Sequence, residues 1–498
     1  VPSTEGGGET QAELYHRLTS YDEGRHWLEP SEDHRARQDF FPMEKENEPA
    51  PFKRYPGRLP AIRLAAIPPA PAPAPAPSAA AVLGGKLASR PPGPPHIGTL
   101  AAILVQCAGV MRYHRGADGR VAHFRAASSA GNRHPLELYV CAHDIDGLPD
   151  GVWHYNPLGN ALTLIGPAPA GGGPAFVVTG IPWRSCWKYA ERGYRHMWWD
   201  CGTLTAQALL AAHSYGLPAR VQTAFPDREV AVLIGAAESA EFPLIIIPLT
   251  DEEPALTAGG PAEPGDIGEG GQRFELVTAT HEAGYMTDSQ AASWRTGRQT
   301  SPNSHVIAEP PGEAGDAPFD VLVRCRGSMR RLDPAAGIPK RSLEWMAQVA
   351  AAPPPWDAGD PPHAYVTVHL ADGLAPGVYR LGTATGIEYT RPADRAASQR
   401  LCLGQTVARD AAFLIFFVPA RGQGAESRAR DYRTAQLGAG IGLGRLYIAA
   451  ATLNLGCCGV TFVDSLLPAV IGAPACLAAG AVGHAGHRQP ASDTHAPL

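Results

Sequence analysis

Leu138-Tyr-Val-Cys-Ala-His-Asp-Ile-Asp-Gly-Leu-Pro-Asp-Gly-Val-Trp153 returns later in the chain as Ala364-Tyr-Val-Thr-Val-His-Leu-Ala-Asp-Gly-Leu-Ala-Pro-Gly-Val-Tyr379. Eight of the sixteen positions are identical at a constant offset of 226 residues, which marks an internal repeat. Each copy reads as a strand, a glycine-containing turn and a second strand, hence a hairpin. Farther out, Arg192-Gly-Tyr-Arg195 is echoed by Arg430-Asp-Tyr-Arg433 at an offset of 238. Each echo precedes a long helical pattern, over 196–215 and 434–454, and then a short apolar strand. Both copies close on a similar phrase, Val232-Leu-Ile-Gly235 and Val470-Ile-Gly472. The chain is expected to carry one α+β unit twice.

The second long helical pattern holds Gly438, Gly440, Gly442 and Gly444. Each glycine costs a helix interior ~0.5–1 kcal/mol relative to alanine. Four in one stretch imply close backbone approach to the partner copy, the alternative being an irregular segment.

The 498 residues include 55 glycines and 49 prolines, about a fifth of the chain. That is more than the usual ~12% but less than the ~25–30% of a wholly low-complexity chain, so the surplus belongs in linkers and tight packing. The chain is expected to divide into an arm (1–67), a Pro/Ala linker (68–80), a first domain (81–250), a linker and extended segment (251–318), a second domain (319–484) and a disordered tail (485–498). Lys and Arg number 42 against 48 Asp and Glu, a net charge of −6 that supports neither a nucleic-acid nor an anionic-membrane role. The apolar runs Phe242–Leu249 and Phe413–Val418 are far shorter than the ~20 residues a membrane-spanning helix needs. The N-terminus lacks a signal-peptide pattern. Nine scattered cysteines without a C-x-x-C spacing argue against a disulfide framework or zinc ribbon and favour a reducing cytoplasm. His114, His123, His134 and His143 lack metal-ligand spacing, so no metal is expected. No G-x-S-x-G, P-loop or Rossmann fingerprint is convincing.

Arg125-Ala-Ala-Ser-Ser-Ala-Gly-Asn-Arg-His-Pro-Leu-Glu-Leu-Tyr139 resembles the serine/glycine loop of the flavin-dependent nitroreductase superfamily. Trp187-Lys-Tyr-Ala-Glu-Arg-Gly-Tyr-Arg195 is similar to the signature of its SagB-type branch, the azoline dehydrogenases of thiazole/oxazole-modified peptides. Tyr15-His-Arg-Leu-Thr19 and Pro51-Phe-Lys-Arg-Tyr-Pro56 are similar to that branch's N-terminal arm. In the second copy, Arg326-Gly-Ser-Met-Arg-Arg331 resembles the superfamily's Arg-Arg-Ser phosphate motif, with Gly327 in place of the second arginine, and Leu455-Gly-Cys-Cys-Gly459 its C-terminal glycine loop. The resemblance implies two nitroreductase-like domains fused as an intramolecular pseudo-dimer, able to remain monomeric as a chain. It also implies FMN in the domain interface, with ligands from both copies.

The motif halves are divided. Copy one keeps the Ser-Ser loop and the Lys-Tyr pair, while Gly85-Lys-Leu-Ala-Ser-Arg90 is all that stands for its phosphate motif and Gly216-Leu-Pro-Ala-Arg220 for its glycine loop. Copy two keeps the phosphate motif and glycine loop but carries Ala352-Pro-Pro-Pro-Trp356 in place of the Ser-Ser loop. One composite site is therefore expected. Arg326, Ser328 and Arg330 are the cations and hydroxyl that a dianionic phosphate prefers. Ser128, Ser129, Gly131 and Asn132 are candidates for close approach to the isoalloxazine, and Gly456 and Gly459 for the glycine loop. Lys188 is one of only five lysines among the 42 basic residues. A desolvated lysine can act as a base near neutrality, and Tyr189 can donate to the azoline nitrogen or share the proton; which of the two is the base stays open.

The resemblance implies oxidation of thiazoline or oxazoline to azole, with oxygen as the final acceptor. The substrate would be an azoline-containing peptide or carrier-bound intermediate, with a cyclodehydratase or carrier protein as candidate partner. The alternatives are another flavin oxidoreductase, acting in peptide desaturation or nitro/quinone reduction, and a non-catalytic peptide-recruiting scaffold.

Overall fold

The repeated hairpin forms twice and in the same register class. In copy one Tyr139 faces His154 and Val140 faces Trp153; in copy two Val366 faces Tyr379 and Thr367 faces Val378. These pairings come from a computed structural model that describes residues 9–23, 45–68, 76–86, 93–169, 171–236, 240–268, 273–298, 307–382, 386–420 and 428–486.

Each hairpin is the centre of a six-stranded antiparallel sheet. The first contains β1 (Ala61–Arg63), β2 (Leu136–Ala142), β3 (Gly151–Asn156), β4 (Ala161–Gly166), β5 (Ala175–Gly180) and β6 (Phe242–Pro248), in the order β1-β4-β3-β2-β5-β6. The second contains β7 (His363–Val368), β8 (Gly377–Leu381), β9 (Ile387–Arg391), β10 (Phe413–Val418), β11 (Gly456–Val460) and β12 (Ala478–Gly483), in the order β9-β8-β7-β10-β12-β11. Five strands correspond one for one, so the repeat extends across the whole α+β unit. The sheets differ at their rims. The arm adds β1 to copy one, whereas copy two adds β11 at the opposite edge, where copy one has, among the described residues, the isolated bridge Gln222–Ile246.

Four helices matter for the site: α1 (Gln11–Leu18), α2 (Pro182–Tyr189), α3 (Gly193–Ser214) and α4 (Ala429–Thr452). The last two are the long helices expected from the sequence, and they cross at the centre of the molecule. A Cβ on Gly202 would strike the backbone of Gly440, and one on Gly444 would lie 2.7 Å from the Ala206 methyl. The other two glycines serve copy two itself. Gly438 makes room for Trp356 and Pro362, and Gly442 for the Phe417 ring and the Ala350 carbonyl. Nearly every residue of both helices is buried, and one contiguous apolar core runs through both copies.

Reciprocal buried ion pairs explain the Arg-x-x-Arg echo. Arg192 and Arg195 of copy one hold Asp464 of copy two at 2.8 and 2.9 Å. Arg430 and Arg433 of copy two hold Asp227 of copy one at 2.8 and 3.2 Å. Burial pushes the Asp464 carboxyl up, but Arg192 and Arg195 outweigh it and hold it at about 2. Breaking such a pair would strand a buried charge.

The N-terminal arm lies against this body. Helix α1 starts on a capping box, Thr10 with Glu13, and Tyr15 donates to the Glu191 carbonyl at 2.8 Å. Lys53 is buried, 2.6 Å from Glu241 and 2.8 Å from the Tyr139 hydroxyl. The stretch 251–318 departs from the expectation of a linker and extended segment. It contains the helices Glu275–Glu282 and Asp288–Gly297, and His281 stacks on Phe242 at 4.1 Å and meets the Tyr194 hydroxyl at 3.0 Å. Those buried aromatic partners, distant in sequence, are what turn a Gly/Pro-rich connection into packed structure. Residues 69–75 of the Pro/Ala linker, 87–90 of the weak phosphate motif and 487–498 of the tail lie outside the described residues.

Candidate active site

A cavity of about 400 Å³ opens between the copies beside the α3–α4 crossing. Copy one lines it with Ser128, Ser129, Gly131, Tyr189, His196 and Asp200; copy two lines it with Ser328, Arg330, Tyr447, Cys458, Gly459 and Thr461. Its size and its mixture of apolar walls with a few convergent polar groups suit a cofactor-sized ligand.

The Ser-Ser loop is held from behind by α3. Asp200 accepts from the Ser129 hydroxyl at 2.5 Å and from the Ala130 amide at 2.9 Å. Thr203 donates to the Ser128 carbonyl at 2.8 Å. The loop needs left-handed backbone at Gly131 (φ 58°), Asn132 (φ 59°) and His134 (φ 46°). Gly131 has a second reason to be glycine: a Cβ there would lie 2.5 Å from the Tyr189 hydroxyl and 2.9 Å from Lys188 Nζ. The loop and the Lys-Tyr pair are thus in direct contact.

Lys188 and Tyr189 end α2, where Ala190 takes φ 46° and a single 3-10 turn, Ala190–Arg192, leads into α3. Gly193 permits that turn, because a Cβ would sit 2.7 Å from the Cys186 amide nitrogen. Burial lowers the Lys188 pKa, and the charges acting on it are both cations, Arg133 and Arg330. Burial, then Asp200, raises that of Tyr189. The Tyr189 ring packs on His196 at 4.2 Å, and burial beside Arg192 and Arg195 keeps that imidazole neutral. The His196 Nδ1 has no hydrogen-bond partner among the described residues.

On the other wall, the loop after Cys325 is zipped to β11. Ser328 bridges Cys457, and the Met329 amide donates to the Cys457 carbonyl at 2.9 Å. Tyr447 ties the two motifs together, its hydroxyl 3.0 Å from Ser328 Oγ and accepting from the Gly459 amide at 2.8 Å. Arg330 is exposed at the cavity, and its charge is felt by Lys188, Tyr189 and Cys458.

Three of the residues expected to bind the cofactor are not among those lining the cavity. Arg326 is buried and gives Nε and Nη2 to the Ala126 carbonyl at 3.2 and 2.6 Å, so it braces the root of the Ser-Ser loop; its Nη1 is buried without a partner among the described residues. Asn132 turns its amide to the His123 carbonyl and its oxygen to His134. Gly456 makes room for Met329, 2.6 Å from where its Cβ would be. Ser128, Ser129, Gly131, Tyr189, Ser328, Arg330 and Gly459 do line the cavity, with Lys188 against Gly131. Asp200 and His196 were missed from sequence. Their signal is a carboxylate and an imidazole four residues apart in an otherwise apolar helical pattern, hence on one face.

The position related by the internal twofold is built differently. At the 238-residue offset Gly438 stands where Asp200 does, and Trp356 packs 2.7 Å from the place its Cβ would take. The Val221 amide donates to the Pro355 carbonyl at 2.8 Å, and Asp357 accepts from the Thr223 and Ala224 amides. Trp356 therefore seals that helix face, and an open groove of about 340 Å³ remains outside it.

The residues present fit a flavin mononucleotide. Arg330 and Ser328 could take an anionic end, the Ser128–Gly131 backbone could approach a planar ring, and a neutral His196, its Nδ1 without a hydrogen-bond partner among the described residues, lines the cavity. Among the described residues no cluster of His, Cys, Asp and Glu could hold a metal, and no helix is long and apolar enough to cross a membrane.

The nitroreductase family pattern matches residues 98–249 and 323–476. A protein of Methanocaldococcus jannaschii named as a nitroreductase is 28% identical over 145 residues, 25% of this chain and 70% of that protein. The trifolitoxin-processing protein TfxB of Rhizobium leguminosarum bv. trifolii is 35% identical over 113 residues, 19% of this chain and 30% of that protein. A crystal structure named as a nitroreductase from Anabaena variabilis shares the fold over 96% of this chain and 100% of that one, with a TM-score of 0.72 and 22% identity.

Proposed function

From the premise that this chain belongs to the nitroreductase family and carries its domain twice, we propose that it is an FMN-dependent dehydrogenase oxidising thiazoline or oxazoline rings to azoles in peptide natural-product biosynthesis. The observation that carries this reading is the Lys188–Tyr189 pair packed against Gly131 of the Ser-Ser loop, with Tyr189 and Gly131 lining a cavity whose other wall is Ser328, Arg330 and Gly459. The likeness to a trifolitoxin-processing protein supports placing the chain in the SagB-type branch, with an azoline-containing peptide as substrate.

Converting an azoline to an azole removes one proton and one hydride. FMN, when bound, supplies the hydride acceptor. The chain's own residues orient the ring and manage the proton. Lys188, desolvated and facing Arg133 and Arg330, is biased toward the neutral amine that can accept the proton beside the carbonyl. Tyr189, whose burial keeps it a phenol, can donate to the azoline nitrogen. Ser328 and Arg330 would hold the cofactor phosphate, and Asp200 and Thr203 would fix the loop under its ring.

The test is mass spectrometry of an azoline peptide incubated with the full chain, FMN and air, reading the loss of two hydrogens per ring. Lys188→Ala is expected to retain flavin and lose azole formation by at least a hundredfold, the lower end of a general base's contribution being ~10². Full azole formation by that variant would remove Lys188 from the mechanism. A wild-type protein that binds no flavin would favour the recruiting scaffold.

A further inference from the structure

Gly327 leaves a gap in the phosphate-type motif, and a side chain from the other copy reaches into it. Arg112 lies in the ribbon formed by Val110–Arg115 and Val121–Arg125 of copy one. The ribbon's register slips between Val110 and Arg112, a bulge of the kind that re-aims a side chain. Arg112 Nη2 donates to the Arg326 carbonyl at 3.1 Å and lies 3.0 Å from where a Cβ on Gly327 would be. That one bond leaves its other N–H groups without hydrogen-bond partners among the described residues. A Cβ at 327 would be tight against the guanidinium, which would have to give by a few tenths of an ångström.

Three arginines belong to this loop or touch it: Arg326, whose guanidinium is turned to the Ala126 carbonyl, Arg330, which lines the cavity, and Arg112 of copy one, whose charge acts on Arg326. None is paired with a carboxylate among the described residues. Like charges brought together without a counter-ion are costly unless an anion joins them. Ser328, the next residue after Gly327, and Tyr447 both line the cavity with their hydroxyls 3.0 Å apart, neutral partners for an anion bound at this loop.

We propose that Arg112 is a binding residue for the phosphate of the flavin, supplied across the copy interface into the space that Gly327 leaves open. The proposal rests on the flavin reading above and adds to it a cation from the copy that otherwise contributes only to the ring side. It also gives Gly327 a positive role, because the glycine admits the arginine.

The experiment measures affinity of the full chain for FMN and for riboflavin, which lacks the phosphate, by flavin fluorescence quenching in wild type, Arg112→Ala, Arg112→Lys and Arg330→Ala. Arg112→Ala is expected to weaken FMN roughly tenfold and riboflavin less than about twofold, with Arg112→Lys intermediate, as loss of one charge-assisted contact predicts. Equal loss of both flavins would reveal a merely structural role for the ribbon and overturn the proposal, as would no loss of either. A selective FMN loss in Arg330→Ala without one in Arg112→Ala would overturn this inference and leave the flavin reading standing. Wild type that binds neither flavin would overturn both.

Discussion

At Asp200 burial and hydrogen bonding pull in opposite directions. Desolvation raises the carboxyl pKa, the Ser129 hydroxyl and Ala130 amide lower it, and the balance stands at about 7. A folded-state value above the unfolded value of ~3.9 stabilises the protein below pH ~4, and that contribution is lost as pH rises through 7. Asp200→Asn keeps the size and one acceptor but does not titrate. Relative to wild type it is expected to gain stability between pH 4 and 7, on the order of 4 kcal/mol at most, read by urea unfolding across that range. A constant difference between the two proteins at all pH values would contradict a titrating Asp200. Lys188 was legible in sequence because lysine is rare here and its neighbours form a signature. Asp200 was not, since an acidic residue in a helix is usually solvated, and only packing of the Ser-Ser loop against α3 shows otherwise.

At the scale of elements, the α3–α4 crossing is the joint of the molecule. The glycine-rich helix announced close approach, yet only Gly440 and Gly444 meet the other copy, while Gly438 and Gly442 serve packing within their own. Gly202, the partner of Gly440, carries no signal in sequence, because a single glycine in a helix is common. Gly202→Val is expected to destabilise by about 3 kcal/mol or more, since the obstacle is Gly440 backbone and not a side chain that can rotate away. Urea unfolding measures it, and a change below about 1 kcal/mol would mean that the helices slide apart without cost. The 251–318 stretch shows the reverse error. Its glycines and prolines read as a connection, but Val277, Thr280 and His281 are buried.

At the scale of the whole molecule, the two copies keep their symmetry in the ion pairs and lose it in the sites. Asp227 and Asp464 are clasped by equivalent arginines, so the fused pair retains the interface of a symmetric dimer. One cavity faces Asp200; its counterpart faces Gly438 and is sealed by Trp356. Flavin stoichiometry is therefore expected near one per chain, read from the absorbance of released flavin against protein concentration. A value near two would show that the Trp356 side also opens.

The repeat, the hairpins, the long helices and the division of motif halves follow from the sequence by itself. They rest on local periodicity and on spacing that a chain carries whether folded or not. Most of the expected residues line the cavity, but what Arg326 and Arg112 would touch did not follow. Arg326, a natural phosphate ligand by motif, gives its guanidinium to the Ala126 carbonyl, and Arg112, without any motif, reaches Gly327 from 215 positions upstream. Such choices are decided only where two copies meet, because the partner of each buried donor is fixed by tertiary packing and not by its neighbours along the chain.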